Sequence, residues 1–338
     1  MNYLYLLSGI VLFAVIAMDI VKTTLSSKGG GVITSKLSRG VWNIFFVASG
    51  KNGTSTLLSY AGLAVLCSVL LFWVAALWLA LFLMLLAEPD SIVNSSTMAK
   101  ASSLEKLYYA GFTLSTLGVG DYKATSDLWR IVTSVAAFSG LAFITTSITY
   151  FVPVLQAVGL QSKLSLYLSS MGKTPQEILT NSWDGKGFSS FFDNTSDICQ
   201  MLIQHTMHHH SYPVIHYFHK KQPEQAIAPA MVLLTETYHL LKETVSGQEE
   251  ENGLQMSMLQ TTLDSYLEML KSGFLKDASP KGDAPILDLK ELKAAGIPLA
   301  EEGALKYSSA QATQERRELL TLLLEKDGWS WQQVYGER

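Results

Sequence analysis

The sequence predicts an all-α membrane protein with a helical, acidic C-terminal half, and three observations carry that prediction. Its composition is 48% hydrophobic and 16% charged, well below the ~25% charged share of soluble domains. Three stretches are long and apolar enough for a helix to cross a bilayer core of ~30 Å: Asn2 to Val21, Leu57 to Ala87 and Ile131 to Ser162. Charge is divided unevenly, residues 1–158 holding 9 Lys+Arg and 6 Asp+Glu while the remaining 180 residues hold 16 and 23.

The first stretch has no positive n-region and no small-x-small cleavage site ahead of Lys22, so it reads as a retained helix rather than a signal peptide. Lys22, Lys28, Lys36, Arg39 and Lys51 follow with no acidic residue among them. The positive-inside tendency makes this segment cytoplasmic and leaves the N-terminus outside. The second and third stretches are uncharged over 31 and 32 residues, longer than a perpendicular crossing needs, and are expected to tilt or project. Glu88 to Asp127 is then external. Within it, Ser103 to Ser115 reads as a helix too short to cross. Ser102 or Ser103 suits its N-cap, Glu105 its first turn, and Leu107, Tyr108, Gly111 and Leu114 recur at helical spacing.

Directly after that short helix stands Thr116-Leu117-Gly118-Val119-Gly120-Asp121. Non-helical backbone at membrane depth is tolerated only where protein buries it or it lines water. A row of carbonyls can turn inward around a cation if alternate residues reach φ > 0, which glycine does cheaply and Leu or Val does not. The negative end of the short helix dipole favours the same cation. Thr116 adds a hydroxyl at the inner end, and Asp121 stands at the outer mouth or behind the loop.

The stretch TLGVGDY resembles the selectivity filter of the potassium-channel superfamily, usually TVGYGD, and is similar to second-pore variants such as TIGLGDY of two-pore-domain potassium channels. Tyr108-Tyr109 match the aromatic pair of the family's pore helix, Leu128, Trp129 and Arg130 the start of its inner helix, and Gly140, nineteen residues beyond Asp121, its hinge glycine. The resemblance covers roughly Leu57 to Leu155. It implies a two-helix pore module with a re-entrant pore helix and filter, to which this chain adds an N-terminal transmembrane helix and a helical cytoplasmic domain. Potassium ions would occupy carbonyl sites at Thr116 to Gly120, with no other cofactor. Gly140 and Pro153, in YFVPVLQ, are gating-hinge candidates. Two departures stand out: Val119 replaces the central Tyr and lacks its bracing phenol, and Phe112 stands where some bacterial members have a buried Glu.

The organisation expected is an N-terminal transmembrane helix (1–24), a cytoplasmic basic loop (25–56), an ion-channel pore domain (57–158), a helical cytoplasmic domain (159–272), a linker (273–313) and a C-terminal helix (314–338). Only one filter motif occurs, so a closed ring of four requires a homotetramer. Helices are expected over Phe188–His210, Gln225–Glu243, Asn252–Leu270, Ile286–Ala295 and Gln314–Lys326, with SGQEEENG as a separator.

Six of the seven histidines fall in His205 to His219. His205 with His209, and His216 with His219, have the spacing of metal ligands, yet no Cys or carboxylate stands beside them at convincing spacing, so proton sensing and local packing stay open beside metal binding. Cys67 and Cys199 have no metal spacing and read as buried thiols. The absence of a Lys/Arg stripe sets nucleic acid aside. A multi-pass channel of the plasma (inner) membrane is the leading reading, its partners the bilayer, monovalent cations and other copies of the chain. Alternatives are a non-selective cation channel, a non-conducting receptor or scaffold, and a membrane-anchored metal enzyme.

Overall fold

The computed structural model describes residues 1–26, 29–245, 252–275, 279–285, 288–300 and 311–335. Lys28, most of the SGQEEENG separator and much of the expected linker lie outside the described residues. The chain divides into two compact units: residues 1–41, 63–155 and 211–214 form one, and residues 42–62, 156–210 and 215–338 the other. Its architecture is the all-α membrane protein with a pore module that the sequence predicts.

Among the described residues, three helices are long and apolar enough to span a bilayer: α1 (Tyr3–Leu25), α3 (Ala61–Leu86) and α5 (Asp127–Met171). α3 is apolar all round, but Val65, Val69, Trp73, Ala76, Leu77, Ala80, Leu81 and Leu85 form a buried stripe at helical spacing. Leu63, Leu71, Val74 and Leu79 face outward, as a lipid-facing surface requires. α1 lies close to α3: a Cβ on Gly9 would meet the Ala80 carbonyl at 2.7 Å, and the Asn2 N–H donates to the Ala87 carbonyl at 2.6 Å. The start of α1 is thus tied to the end of α3.

The segment expected as a basic loop contains a helix, α2 (Val32–Ala48). Its signal was hidden because its N-terminus is capped by a residue from another helix. Asp19, buried on α1, accepts hydrogen bonds from the Ile33 and Thr34 amides (3.0 and 3.2 Å), the Thr34 hydroxyl (2.5 Å) and the Trp73 indole (3.4 Å). A carboxyl group buried within a span needs such donors to offset its desolvation.

Beyond α3, strands β1 (Ile92–Asn94) and β2 (Tyr122–Ala124) pair antiparallel with Val93 opposite Lys123. They bracket α4 (Ser103–Leu114). Lys106 of α4 is buried and donates its ammonium to the Leu85 and Glu88 carbonyls at 3.0 and 2.6 Å. That cation satisfies orphan carbonyls at the C-terminal end of α3 and opposes the helix dipole there.

The second unit is built around α8 (Ile227–Thr244), buried on nearly every side. α6 (Pro175–Ser182), α9 (Gly253–Gly273), α11 (Gln311–Asp327) and α12 (Trp331–Tyr335) pack on it, and α7 (Ser189–Ser211) adds Phe191, Ile198 and Leu202 to the same core. The helix expected at Ile286–Ala295 is shorter, α10 (Lys290–Ala294), and buries Leu292; Ile286 lies outside the described residues. Glu236, wholly buried in mid-α8, is held by the Arg317 guanidinium at 3.2 and 3.1 Å and by the Tyr335 hydroxyl at 2.5 Å. α11 therefore docks on this unit through an ion pair as well as through leucines. Cys199 is buried here, whereas Cys67 is exposed on α3, against the expectation that both thiols are buried.

Candidate functional site

The site begins at the N-terminus of α4. Ser102 and Glu105 form a reciprocal capping box, the Ser102 hydroxyl accepting from the Glu105 amide and the Glu105 carboxylate from the Ser102 amide. The other carboxylate oxygen of Glu105 accepts from the Tyr122 hydroxyl at 2.6 Å, so one acid fixes the start of α4 and the segment that follows Asp121. Tyr109 is anchored on α5 through the Thr133 hydroxyl at 3.0 Å, and Phe112 is buried edge-on against Tyr108 and Tyr109, with centroids 5.1 and 5.0 Å apart. The position where some bacterial members of the resembled family have a buried Glu is thus filled by ring packing.

α4 ends where its last carbonyls bend into the loop: the Thr116 amide donates to Thr113 and the Leu117 amide to Phe112. Thr116, Gly118 and Gly120 then take φ of +58°, +59° and +87°. Alternation at every second residue is the pattern that a row of carbonyls turned to one side requires. For Thr116 this is an uncommon conformation, since a β-branched residue disfavours φ > 0. Residues 115–121 are exposed in the single chain, Leu117 to 70% and Val119 to 49%. Behind the loop, the Asp121 carbonyl accepts the Ser95 amide at 2.8 Å. With no phenol at Val119, the side-chain link beside the loop is that of Tyr122 to Glu105.

Gly140 lies beneath the end of α4, where a Cβ would overlap the Leu114 carbonyl. Gly111 similarly admits the Trp78 indole, whose Nε1 donates to the Leu107 carbonyl at 2.8 Å. An apolar cavity of about 300 Å³ adjoins these contacts, bounded by Trp73, Trp78, Leu114, Ser115, Gly140 and Phe143. Pro153 lies inside α5, which continues unbroken to Met171. Leu141, Ile144, Thr145 and Ile148 share one exposed face of that helix.

Of the two histidine pairs that spacing suggests, His205 and His209 meet, whereas His216 and His219 do not. His205, His209 and His216 gather, with ring centroids 6.0 and 5.6 Å apart along the series, around Phe274 and Tyr266. Burial first, then neighbouring imidazoles, pushes His205 down to about 3 and His209 well below the ordinary value; burial pushes His216 down to about 4. His219 stands apart, stacked on Trp329 at 5.6 Å. Among the described residues no group of three or more His, Cys, Asp or Glu is arranged to hold a metal.

The sequence reading missed Asp19, Lys106 and the Tyr122–Glu105 link. Asp19 alone carried a signal, as the one acid among the apolar residues of the first span. The others depend on contacts between distant segments.

Residues 66–157 match the family model described as Ion channel. This segment is a pore domain of the potassium-channel superfamily. Over 332 residues the chain is 28% identical to YdjJ, an uncharacterized membrane protein of Bacillus subtilis (strain 168), covering 98% of this chain and 96% of that one. No solved structure matches. The protein is therefore a membrane protein with an ion-channel domain, which points to transport rather than catalysis.

Proposed function

We propose that four copies of this chain form a cation channel, with potassium the preferred ion, through a filter built from the Thr116–Gly120 carbonyls. The observation that carries the reading is the alternation of positive φ at Thr116, Gly118 and Gly120 on an exposed loop that ends a capped short helix. Carbonyl rows replace a cation's hydration shell only when several chains bring them face to face. Exposure of the loop in one chain fits a site completed by assembly, and a single motif per chain sets the number at four.

Selectivity depends on how firmly the row is held. Val119 removes one brace, and the Tyr122–Glu105 link supplies another from outside the row. This favours a potassium-preferring channel over a non-selective one. In the assembly the Leu141, Ile144, Thr145 and Ile148 face of α5 would adjoin the inner cavity. Gly140 serves close packing against α4 rather than a hinge, which leaves Pro153 as the gating position on α5. The channel sits in the plasma (inner) membrane with the N-terminus outside and the C-terminal unit cytoplasmic. Potassium in the filter is the only cofactor in this reading, and no nucleic acid is involved.

The test is the reversal potential of purified protein in planar bilayers with potassium on one side and sodium on the other. A reversal potential displaced toward the potassium equilibrium value supports the reading. A reversal potential near zero would replace it with a non-selective channel, and folded, inserted protein that carries no current would leave a receptor or scaffold.

A further inference from the structure

His219 makes two hydrogen bonds that a neutral imidazole cannot make together. Its Nδ1 lies 2.9 Å from the Asp327 carboxylate and its Nε2 2.6 Å from the Gly53 carbonyl. Both partners accept only, whereas a neutral imidazole has one N–H to donate and an imidazolium has two. The geometry is that of the charged ring, buried and paired.

What it joins is a tight backbone contact. The Gly53 amide donates to the Gly328 carbonyl at 2.7 Å. A Cβ on Gly53 would meet the Trp329 ring at 2.8 Å, and one on Gly328, where φ is +79°, would meet the Gly53 nitrogen at 2.9 Å. The turn at Lys51–Thr54 is thus pressed onto the end of α11, with Gly53 eight residues before α3 begins at Ala61. The residue beside His219 reaches that helix directly: a Cβ on Gly62, in its first turn, would strike the Phe218 ring.

We infer that His219 is a positioning residue whose imidazolium clamps the turn ahead of α3 to the end of α11, and that loss of its proton releases the turn and changes conduction. The part concerning conduction rests on the channel reading above; the clamp does not. From α11 the facing charge is Asp327, whose second oxygen accepts the Trp329 indole at 3.1 Å. From the turn it is the Gly53 carbonyl, and from α2 and the chain after α11 it is the uncharged rings of Trp42 and Trp329. His216, on the same stretch, also feels Asp327. Burial pushes the His219 value down, but the Asp327 charge and the bonds to Asp327 and Gly53 outweigh it and leave the value raised. A raised value means that the clamp is complete below the ordinary imidazole range and is lost as pH rises through the folded-state value.

The experiment uses the full-length protein in two arms. Hydrogen exchange at the Gly53 amide, corrected for intrinsic base catalysis, should accelerate about tenfold or more between about pH 6 and 9 as the charged bond is lost. His219→Gln should exchange fast at both ends of that range. Asp327→Asn should move the transition about one pH unit lower, since it removes the charge that favours the imidazolium. Open probability in bilayers should change at least about fivefold over the same range and become flat in His219→Gln. A flat exchange profile in the unmodified protein, or an unaltered transition in Asp327→Asn, overturns the clamp. An exchange transition with constant open probability overturns its link to conduction. If no current flows at all, the channel reading fails and the exchange arm still decides the clamp.

Discussion

Replacing Gly118 by Ala isolates the backbone geometry on which the proposed conduction depends. Gly118 has φ of +59°, and a Cβ built there has no heavy atom within 4 Å. No clash contributes in the single chain, so the perturbation is purely conformational. An L-residue in the left-handed region costs about 1–2 kcal/mol. Four chains around one ring bring the total to roughly 4–8 kcal/mol, which lowers the fraction of rings with all four carbonyls in place by about 10³ to 10⁶. Thr116 already sits at φ +58°, so the loop has little tolerance left for a second strained residue. The variant should fold and insert, because the loop lies outside the packed core, yet lose potassium-selective current. The assay is the same reversal potential, with size exclusion and a glycine-118 control run in parallel. Folded, inserted Gly118→Ala protein carrying the same selective current would refute the reasoning.

Other outcomes follow from individual contacts. Gly140→Ala forces a Cβ onto the Leu114 carbonyl and should destabilise the pore unit by about 1–3 kcal/mol, read as a lowered thermal midpoint, while an unchanged midpoint would show that α5 yields there. Tyr122→Phe leaves one Glu105 oxygen without its hydroxyl and should weaken potassium preference with the fold retained, read as a reversal potential moved toward zero. Arg317→Ala removes the charge partner of the wholly buried Glu236 carboxylate and should destabilise the second unit by about 3–5 kcal/mol, measurable by denaturant unfolding. His216 is depressed to about 4, so the unfolded chain binds its proton first as pH falls. That stability is complete above the ordinary value near 6.5 and is lost between there and about pH 4, on the order of 3 kcal/mol; a midpoint that stays level over that range counts against a neutral buried ring.

What the sequence determined alone is what depends on neighbours along the chain. Uncharged runs of about 20 residues mark spans because a bilayer core has a fixed thickness, and all three appear as helices. The short helix was legible from Ser102, Glu105 and its periodicity because capping acts over one turn. Glycine at alternate positions 118 and 120 announced positive φ because no other residue enters that region cheaply. Only the tertiary structure decided the rest. α2 is capped by Asp19 from another helix, so no local pattern could mark its start. The positive φ at Thr116 violates a local preference and is set by the surroundings of the loop. His219 sits three residues from His216 in the chain, yet its partners are Gly53 and Asp327, 166 and 108 residues away. Spacing can propose which side chains might meet on one helix, but burial and long-range hydrogen bonds choose their partners, because a buried donor or acceptor takes whichever group the packed core brings within reach.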